Sequence, residues 1–420
     1  MSARDASCVI VGGSAAGIAT AVEARRGGYS GRLVVVDSDP HMPYERPPLS
    51  KALFGSADDP LVPLHAPEMY AELGISLRLG EFAVEIDASK RTVQLERGEV
   101  LPADRLVLAT GLGARRLNVP GATASNVLTL RNAADARALG EHLQARGPLV
   151  IVGAGFIGLE LAAVAREHGI DVTVVESADH PLVNSVGPVI AKFLLDMHRE
   201  RGVQFVLGTT VSHMTGTQGV IQRIWLENGR ALDAATVVVG VGAEPSLELA
   251  RSAGIDTIAS GIPVGPLGET NLPWIFAAGD VAVRDHPDLL VPGRIEHWDS
   301  SVRHGSAIGS TIAGHPTTVT EPIYAWSDQY GSTLQLVGRA HPKDTFILRD
   351  GASTDQFLGF WVRDGRIGAA VGLRSAREIA AVKRMITQKV TVPVKELCDR
   401  TGDLRRVLKN NRESSVVPMS

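Results

Sequence analysis

Two glycine-rich loops, built alike and set far apart, limit what this chain can fold into more than any other feature. In the first, Cys8-Val9-Ile10-Val11 runs into Gly12-Gly13-Ser14-Ala15-Ala16-Gly17, a helix is expected from Ile18 to about Arg26, and Leu33-Val34-Val35-Val36 follows, closed by Asp37. In the second, Leu149-Val150-Ile151-Val152 leads to Gly153-Ala154-Gly155-Phe156-Ile157-Gly158, then a helix from Leu159 to about His168, then Val172-Thr173-Val174-Val175, closed by Glu176. Short apolar runs bounded by turns fit buried strands of a parallel sheet. A whole βαβ unit that occurs twice implies two similar α/β domains rather than a short-period solenoid. The 420 residues leave room for a further domain, at roughly 150 residues each.

The loops carry a chemical implication. A helix N-terminus offers free N–H groups and the positive end of the peptide dipole, and glycines let the backbone approach a phosphate without a Cβ clash. The second loop is a complete GxGxxG at Gly153, Gly155 and Gly158. Glu176 follows at about the 20-residue distance that a dinucleotide site requires. A carboxylate there accepts hydrogen bonds from a ribose 2′-OH and repels a 2′-phosphate. No Arg follows it, only Ser177, Ala178 and Asp179, so NADH is expected over NADPH; the bland alternative is a solvated acid at a strand end. The first loop has Ser14 where glycine is expected, but Asp37 keeps the spacing, and Ser38 or Asp39 could take the ribose contact instead.

Elsewhere, Leu106-Val107-Leu108-Ala109-Thr110-Gly111 and Val237-Val238-Val239-Gly240-Val241-Gly242 are expected to return the chain to a sheet at the close of each unit, and Ile275-Phe276-Ala277-Ala278-Gly279-Asp280 is a further buried strand. From about Pro322 alternation predicts antiparallel strands, then a helix from about Ala376 to Thr387, with a loose polar tail after Asn410. In Tyr44-Glu45-Arg46-Pro47-Pro48-Leu49-Ser50-Lys51 the prolines predict a rigid, extended approach. Ser50 is expected as an N-cap and Lys51 in a helix, where its charge could steady a reduced isoalloxazine. A plain surface turn is the alternative.

Several function classes are disfavoured. The net charge of −4 and the lack of a basic run give no reason to expect nucleic-acid binding. The two cysteines, Cys8 and Cys398, form no CxxC, so neither a redox dithiol nor a Cys-based zinc site is expected. The 12 histidines show no HxxxH or HExxH spacing, and no metal is expected. With no apolar stretch of about 18 residues and no room for a signal peptide before Cys8, a cytoplasmic location is expected, with no membrane partner.

Taken together, GGSAAG, RPPLSK, LATG, GAGFIGLE, FAAGD, EHW and WSDQ resemble the FAD-dependent, NADH-using ferredoxin reductases that serve bacterial cytochrome P450 and Rieske-type dioxygenase systems, putidaredoxin reductase among them. The motifs run from residue 8 to about residue 330 in the family's order. The resemblance implies an α/β fold of the glutathione-reductase type: two Rossmann-like dinucleotide-binding domains plus a C-terminal α+β domain. The expected boundaries are 1–115 and 243–321 for an FAD domain in two parts, 116–242 for an inserted NAD domain, and 322–420 for a C-terminal interface domain. By resemblance FAD meets Gly12, Ser14, Ala15, Ala16, Gly17, Asp37, Ser38, Ala83, Ala109, Thr110 and Gly111, with Arg46 and Lys51 toward the flavin and Arg131 toward the phosphates. Gly279 and Asp280 reach the ribityl chain, and Glu296, His297 and Trp298 line the ring. NADH is assigned to Gly153, Gly155, Phe156, Ile157 and Gly158, with Glu160 near the nicotinamide, Glu176 on the adenosine ribose and Gly242 close by. Trp326 would cover the stacked rings, although a Trp in such a strand is otherwise simply core. Lys51, Glu160 and Trp326 are thus the expected catalytic set, acting by position and charge.

The implied partner is a [2Fe-2S] ferredoxin, and through it a P450 or Rieske-type oxygenase. Arg294, Arg303, Arg339 and Lys343 are candidates for docking an acidic ferredoxin. Relatives that reduce disulfides, peroxides or coenzyme A disulfides need a cysteine near the flavin, where this chain reads His41-Met42-Pro43-Tyr44. Two alternatives stay open: an NADH oxidoreductase acting on a small acceptor such as a quinone or monodehydroascorbate, and an NADH-sensing flavoprotein of the apoptosis-inducing-factor type.

Overall fold

The first apolar run forms the strand Cys8–Val11, buried throughout because it lies inside a parallel sheet with helices on its faces. This computed structural model describes residues 6–54 and 61–408; the tail after Asn410 lies outside the described residues. The chain divides into two units. One comprises Met1–Arg46, Pro60–Gly113 and Ala243–Ile323, the other Pro47–Asp59, Ala114–Gly242 and Tyr324–Ser420.

In the first unit five parallel strands lie in the order Ile275–Ala277, Arg105–Leu108, Cys8–Val11, Leu33–Asp37, Ile75–Leu79. Val9 pairs with Val34 on one side and Leu106 on the other, and alternate residues feed apolar cores on the two faces. The helix Ala15–Arg26 packs against the helix Trp298–Ile312 through glycines. A Cβ on Gly305 would stand 2.2 Å from the Ala16 carbonyl oxygen, and one on Gly309 2.4 Å from that of Thr20. The two backbones therefore meet with no side chain between them.

The second unit repeats this plan and adds to it. Its parallel sheet has the order Gln204–Leu207, Val172–Glu176, Leu149–Val152, Thr236–Val239, Val127–Leu128. Its C-terminal part is an antiparallel sheet ordered Tyr324–Gln329, Ser332–Gly338, Arg366–Leu373, Phe357–Arg363, Thr345–Leu348. The helix Ala376–Thr387 sets Ile379, Val382 and Met385 against Val337, Phe360 and Ala370 of that sheet. The helix Val183–Glu200 brings Val186, Ile190 and Leu194 to Leu334, Phe357 and Val371. The fold is α/β, with two Rossmann-like units and a C-terminal antiparallel domain.

The prolines behave differently from the extended approach expected of them. Pro47–Ser50 is a 3-10 turn, because a proline φ near −65° also suits the first turn of a helix. Lys51 follows this turn instead of opening a helix, and Lys51 N–H donates to the Pro48 carbonyl at 2.9 Å. Ser50 is therefore not an N-cap; its hydroxyl is used elsewhere. Both loop helices also begin earlier than expected, at Ala15 and Phe156.

The two glycine loops superimpose in logic. Gly12 has φ +111° and Gly153 φ +105°, and a Cβ there would lie 2.2 Å from the Ala109 oxygen or 2.3 Å from the Gly240 oxygen. At Gly17 a Cβ would stand 1.8 Å from the Gly12 oxygen, and at Gly158 2.2 Å from the Gly153 oxygen. The middle position is different. Ser14 (φ −90°, ψ −166°) and Gly155 (φ −78°, ψ −173°) are both extended, and a Cβ on Gly155 would meet nothing within 4 Å. Ser14 is thus an allowed substitution. Gly158→Ala is expected to lower the melting temperature by several degrees, because a Cβ against a carbonyl costs about 3 kcal/mol or more. Gly155→Ser should change it by less than about 2 °C. Equal losses in a thermal melt would contradict this account of the loop.

Candidate functional site

The helix Ala15–Arg26 starts buried and without a side-chain cap. A helix normally leaves its first N–H groups unpaired, and a buried, uncapped end needs an acceptor from outside. The N–H groups of Ala15, Ala16 and Gly17 have no protein acceptor among the described residues, which fits a pyrophosphate. Asp37 closes the adjoining strand: one carboxylate oxygen accepts Gly13 N–H at 2.7 Å and the other Asp39 N–H at 3.1 Å. Burial pushes the Asp37 pKa up, against these bonds and the nearby charge of Arg46. Asp39, the alternative ribose partner, is engaged within its own loop by Tyr44 Oη at 2.7 Å and His41 Nδ1 at 2.6 Å. Burial alone would raise its pKa, but these hydrogen bonds outweigh burial and pull it down.

The Gly279-Asp280 turn comes to the same helix end. Gly279 has φ +72°, and a Cβ on it would lie 2.6 Å from Ala16 Cβ. Asp280 accepts the Ser301 hydroxyl at 2.5 Å, and Gly279 N–H donates to His304 Nδ1 at 3.2 Å. Trp298 opens the helix that carries Ser301 and His304, with His297 before it. Glu296 is ion-paired to Arg294 at 2.6 Å. Thr110, just past the strand that carries Leu108, donates to the Ser246 carbonyl at 3.2 Å, and Gly111 next to it has φ +64°. Ser38 lies between Asp37 and Asp39. Ala83 opens a strand shortly after Glu81, whose N–H donates to the Asp37 carbonyl at 3.0 Å.

In the second unit Glu176 repeats the role of Asp37. It accepts Ala154 N–H at 2.6 Å with one oxygen, and Ala178 N–H at 2.8 Å and the Ser177 hydroxyl at 3.0 Å with the other. The helix Phe156–Glu167 again starts without a side-chain cap, and Ile157 at its first turn is exposed. Gly242, with φ +98°, follows the strand Thr236–Val239 beside this loop. Arg131 lies in this unit ahead of the helix Ala133–Leu143, its N–H donating to Asp135 at 2.8 Å.

Glu160 sits one turn into the helix Phe156–Glu167 and is buried. Ser50 Oγ donates to one carboxylate oxygen at 2.5 Å, and Ser327 Oγ and Asp328 N–H donate to the other at 2.8 and 3.2 Å. Lys51 Nζ stands 3.6 Å from Glu160 and 3.3 Å from the Asp328 carboxylate. The structure thus joins Lys51 and Glu160, and it adds Ser50, Ser327 and Asp328, whose link to Glu160 depends on contacts 110 to 168 residues apart in sequence. Strand alternation buries Ser327 and leaves Trp326 on the opposite, half-buried face, stacked on Tyr324 with centroids 5.9 Å apart.

The cysteines stand apart from this chemistry. Cys8 is buried in its strand, where burial pushes the thiol up to about 12. Neither cysteine is in a disulfide. Of the docking candidates, Arg294 is held by Glu296, and Arg303 by Asp299 at 2.7 Å and Glu321 at 3.5 Å. Arg339 and Lys343 are exposed. No helix among the described residues is long and apolar enough to cross a membrane.

Residues 6–305 match the family model for pyridine nucleotide-disulphide oxidoreductases, and residues 324–408 match a reductase C-terminal family. The chain belongs to the pyridine nucleotide-disulphide oxidoreductases. It is 32% identical over 404 residues to the ferredoxin--NAD(+) reductase subunit of the benzene 1,2-dioxygenase system of Pseudomonas putida, covering 96% of this chain and 97% of that one. Among solved structures it is similar to the ferredoxin reductase for the CYP199A2 system of Rhodopseudomonas palustris, with TM-score 0.91, 30% identity and coverage of 96% and 100%. A chain of the covalent putidaredoxin reductase–putidaredoxin complex matches with TM-score 0.92, 31% identity and coverage of 97% and 99%. This oxidoreductase carries two Rossmann-like loops but no CxxC or CxxxxC.

The environment of Glu176 generates a test of cofactor choice. Replacing Glu176 by Ala and Ser177 by Arg removes the carboxylate expected to repel a 2′-phosphate and supplies a cation in its place. The ratio of kcat/KM for NADPH to that for NADH is expected to rise at least tenfold, about 1.4 kcal/mol. An unchanged ratio in steady-state assays would refute the role given to Glu176.

Proposed function

We propose that this oxidoreductase is an FAD-dependent ferredoxin--NAD(+) reductase, taking electrons from NADH and passing them singly to a [2Fe-2S] ferredoxin that feeds a cytochrome P450 or a Rieske-type oxygenase. The observation that carries this reading is the pair of glycine loops, each with an uncapped helix end and a strand-end carboxylate hydrogen-bonded back into it, in a chain without a redox cysteine pair. The relatives named above are ferredoxin reductases over nearly their whole length. A cytoplasmic location goes with this reading.

Bound FAD would supply the conversion between the two-electron chemistry of NADH and the one-electron chemistry of a [2Fe-2S] ferredoxin. The residues of the chain bind, orient and exclude. In the first unit the N–H groups of Ala15, Ala16 and Gly17 would hold the FAD pyrophosphate, Asp37 the adenosine ribose, and Asp280, fixed by Ser301, the ribityl hydroxyls. In the second unit the loop from Gly153 to Gly158 holds the NADH pyrophosphate, and Glu176 meets the ribose with its remaining acceptor capacity. Glu160 and Lys51 act as an electrostatic pair that serves hydride transfer, with Ser50, Ser327 and Asp328 fixing the carboxylate. Hydride transfer rests on stacking and proximity rather than on proton transfer, so the pair acts by position and charge. Trp326 offers an aromatic face to the nicotinamide side.

NADH-dependent cytochrome c reduction is the assay. The purified flavoprotein is expected to reduce cytochrome c at least tenfold faster with an added [2Fe-2S] ferredoxin than without it. Equal rates with a quinone and no ferredoxin would favour the small-acceptor alternative. Absence of turnover with any acceptor would favour an NADH-sensing protein.

A further inference from the structure

The first unit contains a cavity of about 350 Å³ lined by the turn at Gly265 to Leu267, the segment Arg284 to Pro287, the helix Trp298–Ile312 and the loop Thr317 to Thr320. None of the glycine-loop residues borders it. Arg284 leaves the short strand Ala282–Val283 and pairs its backbone with Gly293. Its side chain enters the cavity wall with the residue only 7% exposed. Burial pushes its pKa down to about 10, with no opposing carboxylate. It stays charged at neutral pH, and among the described residues nothing accepts from its guanidinium.

The neighbouring groups are donors or already committed. His304, 5% exposed, accepts Gly279 N–H at Nδ1, which leaves its other ring nitrogen as an N–H donor. Burial first, and the charge of Arg284 second, hold His304 neutral. His286 is engaged at both nitrogens, by Asp288 N–H and the Glu321 carbonyl. The carboxylates of these loops are committed elsewhere: Asp288 accepts Ile323 N–H at 2.7 Å, Glu269 accepts Leu267 N–H at 3.0 Å, and Glu321 faces Arg303. Asp285 is exposed at the mouth, where Thr317, Thr318 and Thr320 are exposed as well.

A buried, unpaired cation is costly unless a counter-charge completes it. A guanidinium fork beside a neutral imidazole N–H matches a carboxylate. The remaining wall is apolar, from Pro266, Leu267, Pro287, Ala307 and Ile308. The volume lies in the range of small-molecule sites. We propose that this cavity is a binding site for a small organic monocarboxylate, its head on Arg284 and His304 and its apolar body against Leu267, Ala307 and Ile308. His304 also holds Gly279, next to Asp280, so an acid bound there touches the support of the turn proposed to hold the ribityl chain.

Benzoate is a suitable probe, titrated into the FAD-loaded protein by calorimetry, with benzyl alcohol and inorganic phosphate as controls. Benzoate should bind saturably, and each control at least tenfold more weakly. Arg284→Met removes a buried unpaired charge and is not expected to impair folding; it should weaken benzoate at least tenfold. Ala307→Phe, which fills the cavity and keeps Arg284, should do the same. Absence of saturable benzoate binding to the unsubstituted protein, unchanged binding in Arg284→Met, or phosphate binding as tightly as benzoate would each overturn the proposal. None of these readouts depends on NADH or ferredoxin turnover.

Discussion

The contact on which the rest depends is a bare backbone crossing, made in each unit where a strand turns into a helix. The first and third glycines press against carbonyl oxygens at distances that no Cβ could share. This puts the helix N-terminus directly over the strand ends and, in the first unit, leaves the N–H groups of Ala15, Ala16 and Gly17 without a protein acceptor among the described residues. A carboxylate at the end of the next strand, Asp37 or Glu176, then ties the loop down through a single N–H. The anion binding and ribose recognition proposed for the two loops would therefore draw on one local piece of geometry, used twice. The same principle recurs where Gly305 and Gly309 let the helix Trp298–Ile312 lie against the first loop helix, which brings Ser301 and Asp280 to its N-terminus.

The second unit is tied together by a buried carboxylate. Glu160 collects a hydroxyl from the Pro47–Ser50 turn, a hydroxyl and an N–H from the strand Tyr324–Gln329, and the charge of Lys51. Removing a partner from such a buried charge typically costs about 3–5 kcal/mol. The excursion that carries Lys51 is held further by Phe54, stacked on His168 with centroids 3.8 Å apart. Three segments distant in sequence thus converge on one side chain, and the ammonium of Lys51 is fixed by two carboxylates rather than left to solvent.

What could be read from the sequence was local. The strand–glycine–helix units, the acids closing them and the helix Ala376–Thr387 follow from short-range pattern and spacing. Ser14 departs from the motif in identity only, because a motif records residues and not backbone conformation; its extended backbone, like that of Gly155, accepts a small side chain. Pro47-Pro48 was read as extended because proline fixes φ but leaves ψ free, and ψ decides between a turn and an extended chain. Ser327 and Asp328 stood inside a quoted motif, yet their use by Glu160 depends on a long-range approach. The cavity around Arg284 gives no signal in sequence, since its walls come from four separated segments and its significance lies in a missing counter-charge.

The central claim is that one chain binds both FAD and NADH and hands electrons on to a ferredoxin. Its most direct test is an anaerobic titration of the purified yellow protein with NADH, followed by oxidised [2Fe-2S] ferredoxin, with the visible flavin absorbance as the readout. The account predicts that stoichiometric NADH bleaches the flavin band and that ferredoxin restores it as its own cluster becomes reduced. A flavin band unmoved by NADH, or one that stays bleached in the presence of ferredoxin, would contradict it.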